Sequence, residues 1–203
     1  MYNHTKMKSK IAITFVHTAD KTYSSTQMFG IHFLPVWAYT LASHLKDVGS
    51  FQFSLLDDRI SPINQAERAE FFLYSGMNQD IDAIMKNHSY LQKKFPKAKH
   101  IIGGPITWSF QKAGKLNLLS EFDHIFIGDG EDAIKEFFLT LNEPKPKVLE
   151  SNLRFPLQSS KPMHSELIKK TINNYYGAVI EVSRGCPFLC EFCDIRTLPN
   201  NNK

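Results

Sequence analysis

The feature that most constrains this chain is a repeated alternation. Five short, mostly apolar runs recur along it: Lys10–Val16, Phe51–Leu56, Phe71–Tyr74, His100–Ile102 and His124–Ile127. Each is too short for a stable helix and apolar enough to be covered on both faces, as strands of a parallel sheet are. Helical periodicity lies between and after them, over Phe33–Val48, Asp80–Phe95 and Glu131–Leu141. Pro35 is tolerable in a first helical turn and Gly49 is a plausible stop. In the second helix Ile81, Ile84, Met85 and Leu91 form one stripe, with Pro96 just past its end. Strand alternating with helix at this spacing implies a Rossmann-like, doubly wound α/β fold. Right-handed crossovers then bring the C-terminal ends of the strands to one edge, where such sheets take ligands. Ser75-Gly76, Gly103-Gly104-Pro105 and Gly128-Asp129-Gly130 stand at those ends. Their small size fits two readings: tight turns of any doubly wound fold, or close backbone approach to a flat ligand.

The texture changes after Leu141. Pro144, Pro146, Pro156 and Pro162 interrupt a stretch with little periodicity, which reads as a linker. One more strand, Ala178–Val182, then runs into the last segment. This divides the chain into 1–142, a linker 143–176, and 177–203. The net charge of +4 is spread thinly, with Lys93-Lys94 and Lys169-Lys170 as small solvated clusters. That excludes a nucleic-acid stripe. No apolar run approaches the ~18 residues of a membrane span, and Ile11–Val16 is too short for the core of a signal peptide. The expected location is the cytoplasm, with reduced thiols.

Those thiols are Cys186, Cys190 and Cys193, the three cysteines of the chain, spaced Cys-x3-Cys-x2-Cys. Three thiolates on one loop can hold three irons of a 4Fe-4S cube and leave the fourth iron open to chemistry. Gly185 permits a sharp turn and Pro187 stiffens the loop. Phe188, Leu189 and Phe192 would form an apolar shell around the cluster. Structural zinc is the competing metal, but it wants a fourth ligand and no histidine lies within the loop.

The run Ser183-Arg184-Gly185-Cys186-Pro187-Phe188-Leu189-Cys190-Glu191-Phe192-Cys193-Asp194-Ile195 resembles the entry motif of radical S-adenosylmethionine enzymes. The preceding segment, with Gly-Gly-Pro at 103–105 and Gly-Asp-Gly-Glu at 128–131, is similar to the N-terminal domain of the cobalamin-dependent branch. The resemblance runs from about residue 10 to residue 200. It implies that Cys186, Cys190 and Cys193 bind a 4Fe-4S cluster whose open iron takes S-adenosylmethionine. It implies that Ser75, Gly76, Gly103, Gly104, Pro105, Gly128, Asp129 and Gly130 frame cobalamin, and that residues 177–203 begin a radical barrel. A methyltransferase is the implied parent activity, with a flavodoxin or ferredoxin as electron donor.

Two departures accompany the resemblance. The Asp-x-His-x-x-Gly motif that supplies a lower cobalt ligand in many cobalamin domains is missing: Asp123 and His124 are adjacent, and His17 is followed by Thr-Ala-Asp. His17 reads as a polar loop residue. A full barrel needs about 250 residues, whereas ten residues follow Cys193. The expectation is a fragment, inactive alone, with the rest of the barrel on another chain. Two other functions compete. One is a non-catalytic cobalamin carrier or sensor. The other is a flavodoxin-like protein using Thr22-Tyr23-Ser24-Ser25-Thr26 for a flavin phosphate. A receiver domain is disfavoured because Ser75 stands where its acidic acceptor should be.

Overall fold

Parity along the strands decides the layers. A computed structural model describes residues 10–19, 32–151, 154–177, 179, 181–186, 188, 190–191 and 193. Its strands are β1 (Ile11–His17), β2 (Phe51–Asp57), β3 (Phe71–Ser75), β4 (Lys99–Gly103), β5 (His124–Ile127) and β6 (Val148–Glu150). They form one sheet in the order β2-β1-β3-β4-β5-β6, with every pairing parallel. Ile13, Phe15, Phe71, Leu73, Ile101 and Phe126 point to one face. There they meet α1 (Val36–Leu45), α4 (Gly130–Leu139) and Leu167 of α5 (Ser165–Thr171). Val16, Phe72, Tyr74, Ile102, Ile125 and Ile127 point the other way, onto α2 (Ile81–Lys94) and α3 (Pro105–Lys112). Period-two side-chain direction thus builds two apolar cores from one sheet. The architecture is the expected doubly wound α/β fold. Among the described residues no helix is long and apolar enough to cross a membrane.

The differences from expectation have local causes. Val148–Glu150, inside the proline-rich stretch read as linker, is the sixth strand; three residues are too few to show a period. It is held by Ile125 N–H donating to the Lys147 carbonyl at 2.7 Å and Ser151 N–H donating to the Ile127 carbonyl at 2.8 Å. Helix α3 was hidden by Gly-Gly-Pro, which reads as a turn. Gly104 is its N-cap, with φ +84°, and Pro105 opens its first turn. Of the strand expected at 178–182, residues 179, 181 and 182 lie in no strand, while 178 and 180 fall outside the described residues, as does Thr22–Thr26.

A polar clasp ties the segment after α5 back to the sheet. Asp57, 4% exposed at the end of β2, receives the Arg59 Nε and Nη2 protons at 2.9 and 2.7 Å. The Tyr175 hydroxyl donates to the same carboxylate at 3.0 Å. Arg59 also donates to the Phe33 carbonyl at 2.9 Å, and the Tyr39 and Thr171 hydroxyls meet at 2.7 Å. Tyr176 N–H donates to the His32 carbonyl, and Phe33 bridges to Gly177 in parallel. The chain therefore enters the cysteine segment from a fixed point beside the start of α1.

On the α2 face lies a buried aromatic cluster. His88 is fully buried, its ring 4.8 Å from His100 and 4.3 Å from Phe122. His100 Nδ1 is 3.0 Å from the Tyr74 hydroxyl. Burial lowers the pKa of both histidines, that of His100 to about 4.

Candidate functional site: a cavity at the carboxyl edge of the sheet

The cavity lies where sheet, α1 and α4 diverge. Leu73, Ile101, Gly103 and Phe126 share the parity that faces α1 and α4, and they form its floor. Trp37, Thr40 and Leu41 of α1 supply one side, and Gly130, Glu131 and Ile134 of α4 supply another. Gly104, Pro105 and Trp108 close the α3 end. The last wall comes from Val179, Glu181, Ser183, Arg184 and Gly185, the approach to the first cysteine. The cavity encloses about 620 Å³, within the ordinary span of small-molecule sites. No histidine, cysteine, methionine or lysine lines it among the described residues.

Seven of the eight residues expected to frame a ligand line this cavity: Ser75, Gly103, Gly104, Pro105, Gly128, Asp129 and Gly130. Gly76 does not. A Cβ there would come within 2.6 Å of Ile84 Cδ1, so its smallness serves the packing of α2. The other glycines divide by cause. A Cβ on Gly104 would lie 2.2 Å from Ser75 Oγ, and one on Gly128 would lie 2.2 Å from the Ser151 carbonyl oxygen. Both also have positive φ, which disfavours any side chain. The fold itself requires these two. Gly103 and Gly130 are different. A Cβ would meet Phe126 or Leu41 at an ordinary 3.5 Å. Packing leaves room for alanine at both, so an open floor for a ligand is a sufficient reason for glycine there.

The rim is charged and paired. Asp129 occupies the N-cap position of α4 but makes no side-chain cap. Its carboxylate instead accepts from Phe155 N–H at 2.8 Å and meets Arg154 Nη1 at 3.4 Å. Glu131, 3% exposed, is paired with Arg184 Nη2. Arg184 also donates to both oxygens of Glu181, at 2.7 and 2.9 Å, and lies 3.7 Å from Asp129. Burial opposes the guanidinium charge, but the hydrogen bonds to Glu181 and Glu131 outweigh it and raise its pKa above the ordinary arginine value. Arg184, Glu131, Trp37 and Trp108 were missed as site residues. For the first two a sequence signal existed, since Arg184 abuts the cysteine motif and Glu131 follows Gly-Asp-Gly.

His17 sits one strand away. Its Nδ1 accepts from Trp37 Nε1 at 3.3 Å. Burial lowers its pKa to about 4, against the attraction of Asp57. It is a neutral, structurally engaged histidine and does not line the cavity.

The cysteines are free thiols, Cys190 exposed and Cys186 and Cys193 half-buried. Cys193 N–H donates to the Cys190 carbonyl at 3.1 Å, so the Cys-x2-Cys half forms a turn. As a donor set three thiols suit iron-sulfur chemistry. Among the described residues, however, no three His, Cys, Asp or Glu side chains are gathered as a metal site. Phe188 is 70% exposed and shields nothing; Leu189 and Phe192, its expected companions, lie outside the described residues.

No family model matches the sequence. A curated relative, an uncharacterised methyltransferase of Synechocystis sp., is 27% identical over 172 residues, which cover 81% of this chain and 30% of the relative. Two solved structures of the cobalamin-dependent S-adenosylmethionine radical enzyme OxsB are similar in fold. One has aqua-cobalamin bound (TM-score 0.59) and one has aqua-cobalamin and S-adenosylmethionine bound (TM-score 0.60). Each is 20% identical in sequence and covers 91% of this chain and 28% of its own. The chain thus spans under a third of the proteins it matches.

Proposed function

We propose that the chain is the cofactor-binding portion of a cobalamin-dependent radical S-adenosylmethionine enzyme of the methyltransferase kind. One observation carries this reading: the cavity at the carboxyl edge of the sheet shares a wall with the segment that leads into Cys186. A ligand in that cavity and a cluster on that loop would be neighbours by construction. Similarity to the OxsB fold and to a curated methyltransferase supports the same kind of protein.

In this reading Leu73, Ile101, Gly103 and Phe126, with Trp37 and Trp108, would hold cobalamin. The described lining offers apolar contact and backbone approach; it offers no nitrogen ligand for cobalt. Cys186, Cys190 and Cys193 would be the donor set for a 4Fe-4S cluster. When bound, the two groups would supply methyl-carrying and reductive chemistry to the whole protein. This chain's residues bind and orient them and keep water from the floor. Val182 and Phe188, both exposed, are apolar surface that a barrel packed on this segment would bury.

Aquacobalamin titration tests the cavity. Trp37 and Trp108 should be quenched saturably, and the corrinoid should stay with the protein through gel filtration. Absence of saturable binding would refute the assignment. Anaerobic reconstitution with iron and sulfide tests the loop. It should give broad absorbance near ~400 nm and about four irons per chain, lost in Cys190→Ala. Corrinoid uptake with no iron uptake would instead favour a carrier module.

A further inference from the structure

We infer that Arg184 is a positioning residue that registers the cysteine segment against the cofactor cavity by closing on Glu131 and Asp129. This rests on the reading of the cavity as a cobalamin site and extends it to how the site is assembled. Glu131 and Asp129 belong to the turn that opens α4; Arg184 stands two residues before Cys186 and 53 residues beyond Glu131. Glu131 is 3% exposed and the Arg184 side chain 18% exposed, so the pair is shielded as a surface bridge is not. A guanidinium offers several N–H directions at once. Arg184 uses Nη2 toward Glu131 and Glu181, Nε toward Glu181, and leans Nη1 toward Asp129. Its Cζ lies 5.9 Å from the Phe155 ring centroid. Phe155 N–H is in turn held by Asp129. One side chain therefore connects the α4 turn, the stretch around residue 155 and the wall that precedes the cysteines. Lysine, with a single point charge, could satisfy one of these partners and not the set.

Hydrogen–deuterium exchange and thiol labelling on the chain without cofactor test the clasp directly. Arg184→Gln and Glu131→Gln should each speed amide exchange across 181–186 and raise the rate at which Cys186 reacts with a thiol reagent. Exchange in β1, β3 and β4 should not change, which separates loss of register from loss of fold. The double variant should be no worse than Arg184→Gln alone, because that substitution already removes the coupling to Glu131. Arg184→Lys should recover part of the effect. In aquacobalamin titrations Arg184→Gln should bind about tenfold more weakly. Unchanged exchange at 181–186, or additive effects in the double variant, would overturn the role of Arg184. Wild-type protein that fails to bind aquacobalamin would overturn the cavity assignment, while the exchange and labelling results would still decide the clasp.

Discussion

At the residue scale, glycines with the same sequence appearance do different work. Gly128→Ala places a Cβ against the Ser151 carbonyl oxygen at positive φ. It should cost about 2–4 kcal/mol in urea unfolding. Gly103→Ala should keep full stability, since its Cβ meets only an ordinary contact, yet weaken aquacobalamin binding about tenfold by raising the floor. Equal stability of the two variants would contradict the division. Turn chemistry at strand ends is local, and it marks eight residues in the sequence, seven of which line the cavity. It could not tell Gly76 from Gly103, because what a missing Cβ would strike is decided by α2 in one case and by Phe126 in the other. Arg184 and Glu131 were on view as letters, but their pairing depends on a return of the chain across 53 residues.

At the scale of elements, continuous apolar runs and amphipathic helices were legible, and elements interrupted or flanked by proline and glycine were not. Strand β5 was expected with the limits it has. Strand β6 was invisible because three residues between prolines carry no period, and its pairing is a property of β5. The clasp after α5 is likewise tertiary. Asp57, Arg59 and Tyr175 hold the entry to the cysteine segment, with Asp57 and Tyr175 118 positions apart. Asp57→Ala would strand Arg59, whose side chain is 14% exposed. It should destabilise by about 3 kcal/mol. Tyr175→Phe should cost about 1 kcal/mol and raise amide exchange at Tyr176 and Gly177. An Asp57→Ala variant that unfolds at the wild-type urea concentration would show that the clasp contributes nothing.

At the scale of the whole molecule, the buried histidines set the response to acid. In the folded chain burial lowers the pKa of His88, of His100 to about 4 and of His17 to about 4, from 6.5. The groups facing His88 and His100 are each other, Tyr74, Glu121 and Asp123. The two carboxylates favour protonation, but burial prevails. Unfolded histidines take up protons first as pH falls, so stability is fully present above about 6.5 and is lost toward pH 4. His100 alone accounts for about 3 kcal/mol across that window. Asp57, whose pKa burial would raise but Arg59 and His17 lower, adds a further loss below 3.8. Urea unfolding at pH 7 and pH 5 should show the drop, and His88→Leu should make it shallower. A variant with the wild-type pH slope would remove His88 from this account. The pairing of Glu131 with Arg184 gives the word "domain" two limits in this chain. Judged by strand order, the α/β unit closes at Glu150. Judged by where its internal charges find their counterparts, it reaches Arg184, two residues short of the first cysteine.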